Sequence, residues 1–308
     1  MTLHVRCVGC DISKDNLDLY DPALGKARRV GNTKPAAERI AASLHGSKAL
    51  VVMEATGIYD RVLRTALSEA DVDYVRINPL RARRYAQAAG FLAKTDAVDA
   101  RMLASMGEAL KLASDAPPDP AREALCALQK RRDQLVGMRA EERNRRYDVE
   151  GELAASIDEH IAWLSREIRA LDGEIKTLVT TAEPLRDDVA RLRSVPGVGP
   201  VAASVLLAYM PELGQLSPKK IASLAGLAPV NNDSGIKRGE RRIRGGRGRV
   251  RRALYMAALS AIRTEPRFAL FYQRIVERAQ AKKVAIIAVA RKLLTILNAI
   301  IRDKTRYA

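Results

Sequence analysis

Ala49-Leu-Val-Val-Met-Glu54 is an unbroken apolar run closed by a carboxylate. A strand with one solvated face alternates polar and apolar residues. A continuous run with paired valines instead predicts a central strand covered by helices on both sides. After it, Thr56-Gly57 turns the chain into a helix from Tyr59 to Ala70, Asp73-Tyr-Val-Arg-Ile-Asn78 reads as another strand, and Pro79 begins the next helix. Before it, Val5-Arg-Cys-Val-Gly-Cys-Asp-Ile12 is a short apolar strand ending in Asp11. Leu17-Asp-Leu-Tyr20 alternates with period two as its hairpin partner, Ala27 to Val30 supplies a third strand, and Pro35 opens a helix through about Leu44. Three strands followed by helix, strand, helix, strand and helix predict a mixed sheet with crossover helices.

The acids on this frame carry chemistry. Ala93-Lys-Thr-Asp96-Ala-Val-Asp99-Ala-Arg101 leads into a helix-forming segment, and positions i and i+3 share a helix face. Alone, such a pair fits an ordinary helix start, where the dipole welcomes negative charge. Asp11 and Glu54 change its meaning, because they close strands expected to be neighbours and so meet at one sheet edge. If the helix bearing Asp96 and Asp99 packs over that edge, four carboxylates converge. That is costly unless divalent cations neutralise them. Hard oxygen donors suit Mg²⁺, with Mn²⁺ as an alternative, and suit zinc poorly. Two such ions about 4 Å apart would serve the attacking and leaving oxygens of a phosphodiester reaction.

The charge balance names the partner class. Across 308 residues, 53 Lys and Arg against 36 Asp and Glu give a net charge of +17, a field that favours a polyanion and above all nucleic acid. Aromatic residues make up only 4%, too few for base-stacking platforms to dominate. Three cysteines and three histidines suggest no disulfide framework and a reducing compartment. Cys7 and Cys10 form a C-x-x-C, but on a strand they face opposite sides, which argues against zinc. No signal peptide is evident, and the apolar run Val284 to Ile301 is interrupted by Arg291 and Lys292, as in a buried amphipathic helix. The expectation is a soluble, cytoplasmic protein with no membrane association.

Beyond residue 114, Pro117, Pro118 and Pro120 mark a linker over 115–121. From Arg122 to about 185 the sequence is helical. Leu153, Ile157, Ile161, Leu164, Ile168, Leu171, Ile175 and Leu178 form a coiled-coil seam that needs a partner, either its own hairpin mate or another subunit. We expect a homo-oligomer, dimer or tetramer, through this seam. The preceding half, Gln129 to Arg146, is basic on all sides, as a solvated face or a nucleic-acid-facing helix would be.

In the last portion, 186–308, Leu192-Arg-Ser-Val-Pro-Gly197-Val-Gly199-Pro200 reads as helix, tight turn and helix. It is similar to the helix-hairpin-helix motif, in which glycines let turn amides approach a phosphate without reading sequence. From Lys237 to Arg252 there are nine basic residues, four glycines and one acid, Glu240, a phosphate-binding composition that builds no core. Candidate contacts are Lys237, Arg238, Arg241, Arg242, Arg244, Arg247 and Arg249. Ser234, beside Gly235, is by itself a turn residue, since a hydroxyl becomes a nucleophile only when activated.

Three motifs in order, Asp11-Ile-Ser-Lys14, Val51-Val-Met-Glu54-Ala-Thr-Gly57 and Lys94-Thr-Asp96-Ala-Val-Asp99-Ala100, resemble the DEDD domain of bacterial insertion-sequence transposases. This is the IS110 group, related to the Piv and MooV invertases, with a RuvC-like domain of RNase H fold. The resemblance implies that Asp11, Glu54, Asp96 and Asp99 bind Mg²⁺. The region from Ser234-Gly235 through the basic loop to Ala253-Leu-Tyr255 resembles the same family's C-terminal domain, which implies a catalytic serine at Ser234. It also implies action on double-stranded DNA and guidance by a noncoding bridge RNA. The basic loop is richer in Arg and Gly than many relatives' versions.

The expected architecture is therefore an α/β RuvC-like domain over 1–114, the linker, coiled-coil helices over 122–185 and a mostly α transposase domain over 186–308. The expected function is an insertion-sequence transposase, in which the acid cluster and the serine must be brought together. A second hypothesis is a structure-selective nuclease of the junction-resolving kind, acting by two-metal hydrolysis with the acids alone. A third is an architectural DNA binder with a decayed metal site, which the intact set of four acids disfavours.

Overall fold

Strand β1 (Arg6–Ile12) alternates between two cores. Val8, Cys10 and Ile12 join one apolar cluster, while Cys7 belongs to another on the opposite face, so the two cysteines point apart as the strand period requires. This is a computed structural model. It describes residues 4, 6–55, 57–91, 95–115, 119–229, 233–234, 237–238, 242–243 and 245–308, with backbone alone at 184, 233–234, 237–238 and 279. The linker residues Pro117 and Pro118 lie outside the described set. The chain divides into two compact units, Met1–Pro118 and Asp119–Ala308.

In the first unit, β1 pairs antiparallel with β2 (Asn16–Asp21), which pairs antiparallel with β3 (Lys26–Gly31). On its other side β1 pairs parallel with β4 (Ala49–Glu54), and β4 with β5 (Tyr74–Ile77), giving the order β3-β2-β1-β4-β5. This mixed sheet is consistent with an RNase H-like domain. Leu50, Val51, Val52 and Met53 are all fully buried, as their unbroken apolar run predicts.

Helices α1 (Lys34–Leu44) and α2 (Arg61–Glu69) cover the face holding Val51 and Met53. Helices α3 (Pro79–Ala88) and α4 (Asp96–Leu110) cover the face holding Leu50 and Val52. Helix α4 lies so close to β1 that a Cβ on Gly9 would fall 1.8 Å from the carbonyl oxygen of Ala100. Only glycine permits that approach. One on Gly107 would meet the Cys7 sulfur at 2.7 Å, so glycines on both elements seat the helix.

The second unit is almost wholly helical. Helix α5 (Pro120–Arg146) starts at Asp119, whose carboxylate caps the backbone amides of Ala121 and Arg122. Helix α6 (Gly151–Thr181) returns along it, so the helical stretch breaks over residues 147–150. Leu135 of α5 packs with Leu164 and Ile168 of α6, and Arg132–Asp172 (2.5 Å) and Arg146–Asp158 (2.9 Å) tie the pair. The partner of the apolar seam is thus a hairpin mate in the same chain along these residues. Leu153, at the other end of the seam, is 72% exposed.

Helices α7 (Glu183–Arg193), α8 (Pro200–Tyr209), α9 (Pro218–Leu224), α10 (Gly248–Thr264), α11 (Pro266–Ala279) and α12 (Lys282–Asp303) complete the unit around one core. Helix α12 is long and apolar enough to cross a membrane by length and composition, yet it fills this core with Val289, Leu293, Leu294 and Leu297. Its fully buried Asn298 accepts from the Gly214 amide at 2.8 Å and donates to the Leu216 carbonyl at 2.9 Å, so the polar group there is satisfied.

Candidate active site

Asp11 and Glu54 leave the sheet at one edge. The last paired residues of the two parallel strands are Cys10 and Met53, so each carboxylate stands one residue further along. Both lie on the face covered by α4, by alternation from Cys7 and from Leu50 and Val52. Helix α4 runs opposite to β1, with Gly107 against Cys7 and Ala100 and Ala104 against Gly9. Two residues further up the strand, Asp11 therefore meets the turn bearing Asp96 and Asp99. The Thr95 hydroxyl caps that turn by accepting from the Val98 amide at 3.3 Å.

The electrostatics report the same convergence. Burial, then the charges of Asp99 and Asp96, and finally that of Glu54, push the Asp11 carboxyl up to about 6, against the pull of the Ile12 amide that donates to Oδ1 at 3.0 Å. The four acids anticipated from sequence therefore share one field. They do not close on a common point: among the described residues, no three His, Cys, Asp or Glu groups are drawn together as a metal-holding set. Asp96 is turned aside to the Arg29 guanidinium of β3.

No sequence pattern singles out Arg29. The register places Asp11, Asp18 and Arg29 side by side across β1, β2 and β3. Arg29 Nε donates to the buried Asp18 at 2.9 Å and Nη2 to Asp96, joining the sheet to the start of α4. Asp18, Arg28, Arg29, Thr95 and Asp96 line an open cleft beside the acids. In chemistry, though not in a closed geometry, the four carboxylates are hard oxygen donors of the kind that suits a divalent cation.

Ser234 lies in the second unit, in the strand β6 (Asp233–Ser234), which pairs antiparallel with β7 (Lys237–Arg238). The register sets Ser234 opposite Lys237 and Asp233 opposite Arg238, so two of the proposed basic contacts flank the serine at the backbone level. Arg241, Arg244 and Gly235 lie outside the described residues, whereas Arg242 is described and exposed.

Arg247 and Arg249 are occupied internally. Arg247 makes a two-pronged pair with Glu212, both bonds at 2.6 Å, and donates to the Tyr209 carbonyl at 2.7 Å. Burial alone would raise the Glu212 carboxyl, but Arg247 holds it below the usual carboxylate range. Arg249 pairs with Asp133 at 2.9 Å, donates to the Tyr209 hydroxyl at 2.8 Å and lies over that ring. These two side chains fasten the start of α10 to α5 and α8.

In the α7–α8 turn, Gly197 has φ +89° and packs against α10, where a Cβ would come within 2.4 Å of the Ala261 amide nitrogen. Its hydrogen side faces protein. Gly199, the residue preceding α8, has open space around it and is the glycine that leaves this helix end accessible.

Residues 8–149 match a family model described as "Transposase", of the DEDD type of IS110 elements, and residues 189–273 match one described as "Transposase IS116/IS110/IS902 family". The chain is 32% identical over 258 residues to the pilin gene-inverting protein of Moraxella bovis, covering 82% of this chain and 80% of that one. The Moraxella lacunata protein of the same description gives the same figures. An uncharacterized 43.6 kDa protein of the IS110 insertion element of Streptomyces coelicolor is 33% identical over 155 residues, 49% of this chain and 37% of its own length.

Proposed function

The chain belongs to the IS116/IS110/IS902 family of transposases, DNA recombinases that cleave and transfer strands, and from that premise we propose that it moves an insertion sequence by a serine-linked, metal-assisted reaction. The observation that carries the acidic half is the Asp11 carboxyl, lifted first by burial and then by the charges of Asp99, Asp96 and Glu54, beside the geometry that brings its strand end against the start of α4. Asp11, Glu54, Asp96 and Asp99 would hold Mg²⁺, or Mn²⁺ in its place. Bound there, the metal supplies positive charge to the phosphodiester oxygens as negative charge develops on them.

Ser234 is the proposed nucleophile. Its Oγ bonds to phosphorus as one P–O bond to the neighbouring deoxyribose breaks, and the departing oxygen ends as a hydroxyl bearing the proton. Reversal with a different hydroxyl rejoins the strands, because the phosphoserine conserves the ester bond. Lys237, Arg238, Arg241 and Arg242 would hold the scissile phosphates, and Gly199 at the start of α8 a backbone phosphate nearby. Relatives named for gene inversion support a reaction that rejoins every end it cuts. A noncoding RNA choosing donor and target, a homo-oligomer and a cytoplasmic location complete the proposal. The net charge of +17 supports the nucleic-acid partners.

The test is covalent trapping. Purified protein, Mg²⁺, co-purified RNA and element-end DNA are run on a denaturing gel beside Ser234→Ala and Asp11→Asn. A protein–DNA adduct that disappears in both variants supports the proposal. Cleavage without an adduct, undiminished in Ser234→Ala, replaces it with hydrolysis by the acids alone.

A further inference from the structure

Helix α3 carries Arg81, Arg83 and Arg84 within its ten residues and no acid at all. All three are exposed, and among the described residues none forms an ion pair. A solvated helix face normally mixes signs, and its first turn favours Asp or Glu, because the backbone dipole makes that end positive. Helices α4, α5, α6 and α7 follow this preference with Asp96 and Asp99, Glu123, Glu152 and Glu183 in their first turns, whereas α3 shares with α1, α2 and α8 to α12 a first turn without acids. Helix α3 places Arg81 there instead, a choice that works against the stability of the helix by itself.

The position of α3 gives that charge a use. Glu54 is level with Ile77 across β4 and β5, and the Ala55 amide donates to the Ile77 carbonyl at 2.9 Å. Asn78 follows at once and caps α3, its side chain accepting from the Leu80 amide at 3.0 Å. Helix α3 thus begins at the sheet edge where Glu54 ends its strand. Its inner side is anchored by the buried Ala82 and by Tyr85, whose hydroxyl lies 3.0 Å from that of Ser105 on α4. With the inner face committed to the helix that bears Asp96 and Asp99, the arginines point outward beside the acid cluster.

We propose that Arg81, Arg83 and Arg84 form a backbone-contact surface for double-stranded DNA on the catalytic unit, holding the duplex that the acids act on. The occupant follows from charge and place. Three cations without acids between them suit consecutive phosphates, and the adjoining acids belong to an enzyme whose reaction is on DNA. Guanidiniums bind phosphate without reading bases, so the surface orients the duplex and leaves sequence choice to other parts of the complex. This rests on the family's DNA reaction and not on Ser234 or a guide RNA.

The experiment uses the full-length chain and a fluorescent 40-base-pair duplex of arbitrary sequence without Mg²⁺, following anisotropy across a salt series. Removing one phosphate-binding guanidinium flattens the plot of log affinity against log salt by about 0.9. The triple variant Arg81→Ala, Arg83→Ala, Arg84→Ala is expected to flatten it by about 2 to 3 and to weaken binding about tenfold or more near physiological salt. The matching triple lysine variant keeps most of the slope, and thermal melting of each variant verifies folding. If wild type binds this duplex but forms no adduct in the covalent-trapping test with Mg²⁺ and element-end DNA, the proposed serine chemistry fails while the surface stands or falls on its slope. An unchanged slope in a folded alanine variant overturns the proposal, as does a weakening confined to RNA in a parallel titration.

Discussion

Arg29 on β3 and Asp96 at the start of α4 are joined by a guanidinium–carboxylate contact, while the same guanidinium holds Asp18 at 2.9 Å. Asp96 is therefore shared between the acid cluster and a cation supplied by the edge of the sheet. A divalent ion and Arg29 compete for one carboxylate. Arg29→Ala is expected to tighten Mn²⁺ binding, read as a lower half-saturating concentration in titrations that follow the spectrum of the free ion. It should also move the acid limb of DNA cleavage to higher pH, because the Asp96 charge, one of those that raise Asp11, loses the cation paired with it. Weaker Mn²⁺ binding would instead make Arg29 a support for the ligand geometry.

The sign of the pH effect on stability follows from Asp11. Its folded carboxyl is raised from 3.8 to about 6, so the folded state holds the proton more tightly than the unfolded chain. That contribution is fully present below about pH 4 and is lost as pH rises through 6. In metal-free protein Asp11→Asn should therefore gain about 1–2 kcal/mol relative to wild type at pH 8, after allowance for solvent screening of a half-exposed group, and nothing at pH 4. Urea unfolding at the two pH values measures the difference. Saturating Mg²⁺ should reverse the order at pH 8 by stabilising only wild type.

Gly9→Ala tests the seating of the acid-bearing helix. The new methyl would overlap the Ala100 carbonyl, and backbone cannot yield as a flexible side chain does. A loss of about 2–4 kcal/mol in unfolding free energy is expected. Cleavage should fall even at temperatures where the variant remains folded. A variant with full stability and activity would show that α4 shifts freely.

Arg247 and Arg242 should separate cleanly. Arg247→Ala leaves the partly buried Glu212 without its partner, at a cost of about 1–3 kcal/mol, with little change in the salt dependence of DNA binding. Because the Glu212 carboxyl is lowered in the folded state, this contribution is present above about pH 4.5 and disappears as pH falls through the folded value. Arg242 is exposed on the basic loop, and Arg242→Ala is expected to flatten the salt dependence by about 1. Unfolding curves and anisotropy titrations on both variants decide the matter.

Much of the first unit was legible from residues alone because each strand announced itself locally. The run Ala49–Glu54 lacks polar residues before its closing carboxylate, so both of its faces had to be covered. Leu17–Tyr20 alternates, which set Leu17 and Leu19 on one core, but the alternation did not reveal that Asp18 on the other side is buried against Arg29. Pro35, Pro79 and Pro120 each sit in the first turn of a helix, where the missing amide costs nothing. The carboxylates at strand ends and at a helix start could be grouped for the same reason, since their positions follow from element boundaries. The seam of α6 was legible as well, but not the identity of its partner, because an apolar stripe specifies that something must cover it and not which chain supplies the cover.

What the sequence determined by itself is the alternation of elements, the acids at their ends and a charge that demands a polyanion. Tertiary structure alone decided which cation meets Asp96, why Gly9 must be glycine, and which arginines of the basic loop are already paired. Those facts depend on register and close approach between residues far apart in the chain. Asp18 and Arg29 become neighbours of Asp11 only when three strands align, and Arg247 finds Glu212 only when α10 packs on α8. No local pattern encodes such meetings, because their energy exists only once the chain has closed on itself.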